Sequence, residues 1–172
     1  VTTAPQDCRI ISVQSASSMR TARSPPTMFL SFYNSLVLSP CDEPPPPALR
    51  RGVAQFNCGE YFKQHETLED LWREELRPIR RLYQGILQIG VALHHIKQHN
   101  HHGAVVMLNK GSACLRPFTP ACQDVNIADL LASAARILEA VERLGPKHLD
   151  EFDWKLAPLI RWVDRGQELP SP

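Results

Sequence analysis

Phe56-Asn57-Cys58-Gly59-Glu60-Tyr61-Phe62-Lys63-Gln64-His65-Glu66-Thr67-Leu68-Glu69-Asp70-Leu71-Trp72 is the stretch whose reading decides the fold. Asn57 and Gly59 both tolerate a left-handed backbone, so it reads as a helix end, a break and a second helix. With successive side chains about 100° apart around the axis, Tyr61, Phe62, Leu68, Leu71 and Trp72 share one broad apolar arc, the face a helix turns to a core. His65 and Glu69 fall inside that arc, spaced so that their side chains can touch. An imidazole and a carboxylate on an apolar face need partners, because an unpaired buried charge is costly.

The same logic extends in both directions. Upstream, the proline run 44–47 stops any helix from running backward, and Leu49, Val53 and Phe56 predict a first helix over 47–56. The second helix is expected over 60–75, ending before Pro78. Pro78 suits the first turn of a third helix, in which Leu82, Ile86, Ile89, Leu93 and Ile96 form a regular stripe. No Lys, Arg, Asp or Glu occurs from Leu82 through Ile96. A helix without charge on any side is buried over most of its surface, so this one is expected to be the central post. Gln84, Gln88, Val91 and His95 line its other side, where partly buried polar groups require partners.

A turn at His99-Asn100 leads to a fourth helix over 102–115, with Ala104, Leu108, Gly111 and Leu115 on one face. Two small residues there permit a close helix approach. Pro117 and Pro120 then impose a loop. Asn126 with Asp129 comes close to a capping box for a fifth helix, which Gly145-Pro146 ends. The apolar tail carrying Phe152, Trp154, Leu159, Ile160 and Trp162 predicts packing over the bundle, with a short helix over 156–163. Strand signals are almost absent. The expected fold is therefore all-α: a bundle of about five helices, two helical hairpins plus a C-terminal helix, in a single domain over 44–172.

Composition sets limits on function. Of 172 residues, 43% are hydrophobic and 22% charged, as in ordinary globular proteins. A net charge of +1 gives no reason to expect a nucleic-acid partner, and no apolar run is long enough to span a membrane. Five widely spaced cysteines without a CxxC pair argue against a zinc ribbon and read as reduced structural thiols in a cytosol-like compartment. The first forty residues hold one acid, three arginines and eight serines. That balance resembles a transit peptide or an unstructured extension, so residues 1–43 are expected to be a disordered or targeting-like segment. Met28 as the true start, and a signal core over 29–38 ahead of Cys41, are alternatives. The expected location is cytoplasmic, or a plastid if the transit reading holds.

Three separated motifs carry a family resemblance. The opening stretch resembles the FNxGxYxxAHExLExxW signature of domain-of-unknown-function family 309. Gln84-Gly85-Ile86-Leu87-Gln88-Ile89-Gly90-Val91-Ala92-Leu93-His94-His95 resembles its QGxIQxAxAxxH element. His99-Asn100-His101-His102-Gly103-Ala104 resembles its Gly-Asn-x-x-Gly-Ala element. Gln64 stands where alanine is usual, and His99 where glycine is. The resemblance covers about residues 48–115. It implies a small helical domain and assigns no activity, cofactor or partner.

The candidate site is a seam of Glu60, His65, Glu66, Glu69, Trp72, Gln84, Gln88 and His95. Under one reading it is a buried hydrogen-bond network that fixes helix register in a non-catalytic module for a protein or small ligand. Under the other, His65 and Glu69 are an acid–base or metal pair of a small enzyme. No HExxH, GxSxG or glycine-rich phosphate loop supports catalysis by a known motif. The imidazoles of His94, His95, His99, His101 and His102 offer a metal-binding reading, opposed by their position across a turn. Arg73, Arg77, Arg80 and Arg81 offer a phosphate patch, or, with Glu74 and Glu75 among them, a salt-bridged turn.

Overall fold

Five helices account for most of the computed structural model, which describes residues 39–163. The expectations placed on residues 1–38 therefore lie outside the described residues. Helix α1 (Pro47–Asn57) begins on a proline and buries Leu49, Val53 and Phe56. Gly59 turns the chain with a φ of 72°, and α2 (Tyr61–Glu74) returns along α1. A β-carbon on Gly52 of α1 would lie 2.7 Å from Cγ of Leu68, so the backbone of α1 presses directly on a fully buried leucine of α2.

Helix α3 (Arg80–Lys97) is the post its sequence predicts. Leu82, Tyr83, Ile86, Ile89, Ala92, Leu93 and Ile96 are all buried, and α2 and α4 (His101–Leu115) pack on it. The α3–α4 crossing is close because it is glycine against glycine. A β-carbon on Gly85 would lie 3.1 Å from the Gly111 carbonyl, and one on Gly111 would lie 3.0 Å from the Gly85 carbonyl. Between α3 and α4, His99 holds a φ of 53°, and the Asn100 side chain caps α4 by accepting from Gly103 N at 2.9 Å.

After α4 the chain makes a minimal antiparallel ladder, β1 (Ala121–Cys122) with β2 (Val125–Asn126). Asn126 then caps α5 (Ile127–Leu144) by accepting from Asp129 N at 3.0 Å, and Gly145 ends it with a φ of 66°. The two hairpins and the added helix are thus present, as the hydrophobic periodicity implies.

Two expectations are corrected. No helix forms over 156–163. The tail makes short 3-10 turns at Leu149–Glu151 and Trp154–Leu156 and then runs extended, with Val125 bridged to Trp162. Pro158 interrupts helical hydrogen bonding, and the backbone groups find partners elsewhere. The Asn57 side chain clamps Ile160, donating to its carbonyl at 3.0 Å and accepting its N–H at 2.8 Å. The second correction concerns the thiols: Cys41 and Cys122 form a disulfide across a sequence separation of 81. Spacing alone hides such a pair, because the loop and arm that carry them meet only in the fold. The bond fastens residues 39–43 to the bundle, with Gln123 donating from its backbone to the Cys41 carbonyl at 2.8 Å and from its side chain to the Pro40 carbonyl at 3.3 Å. Arg77 adds a two-pronged grip on Glu43, at 2.7 and 3.1 Å.

Candidate functional site

The arc of α2 does not bury its polar residues as evenly as a wheel suggests. His65 and Glu69 are about one-third exposed, with His65 Nε2 3.9 Å from one Glu69 oxygen. The other Glu69 oxygen takes an ion pair at 2.7 Å from Arg73, one turn on. Glu60 precedes α2 and accepts from Lys63 at 2.7 Å; Glu66 is exposed. Trp72 is half-buried beneath the Arg80 guanidinium, which lies 5.0 Å from the ring centre. Arg77 grips Glu75 as well as Glu43 and holds the Glu75 carboxyl down to about 2. The arginine cluster is therefore a salt-bridged turn with one stacked member.

On α3, Gln84 accepts from the Cys114 thiol at 3.7 Å, whereas Gln88 Oε1 is buried without a donor. No hydrogen bond joins Gln88 to His65 or Glu69, so the structure brings together His65, Glu69 and Arg73 and leaves Gln84 and Gln88 to other surroundings. His95 Nδ1 lies 3.3 Å from Asn100 Nδ2, and burial, reinforced by the neighbouring His94, pushes its pKa below the ordinary histidine value. The other imidazoles diverge. His94 lies 6.2 Å from the Phe62 ring, and His101 meets the Val141 carbonyl at 3.1 Å. Among the described residues no three His, Cys, Asp or Glu side chains converge tightly enough to hold a metal ion.

The polar group that sequence reasoning passed over is Gln64. It is fully buried, its Nε2 donates to the Ile86 carbonyl at 3.3 Å, and its Oε1 has no donor. Its amide fits only because residue 90 is glycine: a β-carbon there would collide with Oε1 and lie 2.8 Å from Cδ. Both positions are alanine in the family patterns quoted above. The signal was present in the unusual residue at 64, but its counterpart on α3 becomes visible only when the helices are packed.

With the hairpins and motif side chains placed, the comparison with known proteins is direct. The family model described as "Domain of unknown function (DUF309)" matches residues 49–107. Those residues are similar to a DUF309 domain. They comprise α1, α2, α3 and the start of α4. The chain is also 30% identical over 89 residues to the uncharacterized protein YpuF of Bacillus subtilis (strain 168), an overlap of 50% of this chain and 51% of that one. To an uncharacterized protein of Aquifex aeolicus (strain VF5) it is 23% identical over 105 residues, 59% of this chain and 31% of that one. The chain thus spans about a third to a half of the length of these curated relatives. The loop carrying Cys122, all of α5 and the extended tail lie beyond the DUF309 match. Among the described residues no helix is long and apolar enough to cross a membrane.

Proposed function

We propose that the DUF309-like hairpins form a non-catalytic binding module that receives a protein partner on the outer side of α2. The carrying observation is Phe62, 61% exposed at the head of α2 and backed by the His94 ring. An exposed aromatic beside partly buried polar groups has the make-up of an interface anchor with its rim. His65, Glu69 and the stacked Trp72 supply that rim.

A photo-crosslinking residue at position 62 of the full-length chain would trap the partner, whose binding is then measured directly. Phe62→Ala should weaken that binding at least about tenfold, and Glu69→Gln should weaken it less. Equal affinity for wild type and Phe62→Ala would show that α2 is not the contact face. The expected cytoplasmic location carries a condition, because disulfides are rare in a reducing cytosol. The Cys41–Cys122 bond favours an oxidising compartment, which thiol trapping in intact cells would test.

A further inference from the structure

A second site lies outside the DUF309 match, where the extended tail crosses α5. Asn57 pins the tail at Ile160, and Asn126 N donates to the Arg161 carbonyl at 2.9 Å. Between these anchors and the Trp154–Leu156 turn the chain stands off the helix and leaves an open cavity of about 290 Å³. Arg136, Lys155 and Arg161 line it, with Asp129 as the one carboxylate. The Arg161–Asp129 pair is loose, 3.8 Å at its nearest atoms, so it leaves guanidinium donors of Arg161 uncommitted. Ser133, almost fully buried, accepts from Arg136 Nη2 at 2.9 Å and keeps its own hydroxyl proton to donate. The apolar side chains of Leu156, Ala157, Pro158 and Leu159 complete an otherwise mainly polar lining.

Three cations against one carboxylate leave two positive charges over a hydroxyl donor, and the apolar side chains of residues 156–159 stand beside them. A phosphate monoester dianion matches that charge, arginine donors suit its oxygens, and an attached organic group suits those side chains. We propose that this cavity binds a small phosphate monoester, its phosphate held by Arg136, Lys155 and Arg161 and its organic group against residues 156–159.

The test uses the full-length chain, with phenyl phosphate, inorganic phosphate and benzoate titrated at one constant, low ionic strength because exposed charges are screened by salt. Phenyl phosphate should give saturable NMR shifts confined to residues 129–136 and 155–161, with a Kd below about 1 mM. Inorganic phosphate, which lacks the apolar group, and benzoate, which lacks the second charge, should each bind more weakly. The combined variant Arg136→Gln, Lys155→Gln, Arg161→Gln changes only exposed side chains and should fold, with phenyl phosphate affinity down at least about tenfold. Ser133→Ala, which keeps a good helix former in α5, should lower it about threefold or more. Shifts scattered over the surface, benzoate binding as tightly as phenyl phosphate, or unchanged affinity in the combined variant would each overturn the assignment.

Discussion

Gly90→Ala isolates the contact between α2 and α3. In an ordinary helix interior the change should stabilise, by about 1 kcal/mol, because alanine restricts the unfolded chain and favours helix. Here the new methyl would lie 2.8 Å from Gln64 Cδ and overlap Oε1, and Gln64 has no solvent path because its exposure is 0%. Overpacking of this kind costs ~1–3 kcal/mol. The two effects oppose each other and leave a net loss of about 1 kcal/mol in the wild-type background. In a Gln64→Ala background the obstruction is gone, along with the one hydrogen bond to the Ile86 carbonyl and an amide oxygen that had no donor. There Gly90→Ala should return to its intrinsic gain, so that the coupling across the double-mutant cycle is about 2 kcal/mol. Urea unfolding of the four proteins provides the measurement. If Gly90→Ala has the same effect in both backgrounds within about 0.5 kcal/mol, the usual error of additivity, then Gln64 does not occupy the space that glycine leaves.

His99 holds a left-handed backbone at the position where the family pattern has glycine, so His99→Gly should stabilise by about 0.5–1 kcal/mol, strain relief outweighing the added chain entropy; a loss in melting temperature contradicts this. Replacing Cys41 and Cys122 together with serine releases a closed loop of 81 residues and should cost about 2–4.5 kcal/mol in denaturant unfolding; an unchanged midpoint would mean the arm is held by its other contacts alone. The lowered His95 pKa means that the folded state takes up its proton less readily than the unfolded chain, so the His95 contribution is intact above 6.5 and is lost as pH falls through the lower folded value. Urea midpoints at about pH 7.5 and about pH 5.5 should therefore differ less in His95→Gln than in wild type, and an equal difference would remove His95 from the pH response.

What the sequence disclosed and what it withheld separate along a physical line. Local signals were legible: the Asn126 cap, the glycines ending α1 and α5, and the charge-free run of α3 each act within a turn or two of themselves. Contacts between distant segments were not. Cys41 meets Cys122, Asn57 meets Ile160 and Gln64 meets Gly90 only because helices that were individually predictable pack in one particular way. The His65–Glu69 pair lay between these cases. Its four-residue spacing correctly puts the two side chains together, but a wheel cannot show how far the neighbouring helix reaches around the arc. That reach sets the depth of burial, and it leaves both residues about one-third open, with Arg73 as the closer partner of Glu69. The residue that does enter the α2–α3 interface is the one immediately before His65, where a long amide replaces the motif's alanine. A departure from a family pattern at a buried position is thus a packing statement, and its complement is to be sought on the facing helix: Gly90 for Gln64. His99 is the contrasting case, a departure at an exposed turn where no neighbour can adjust and the strain falls on its own backbone.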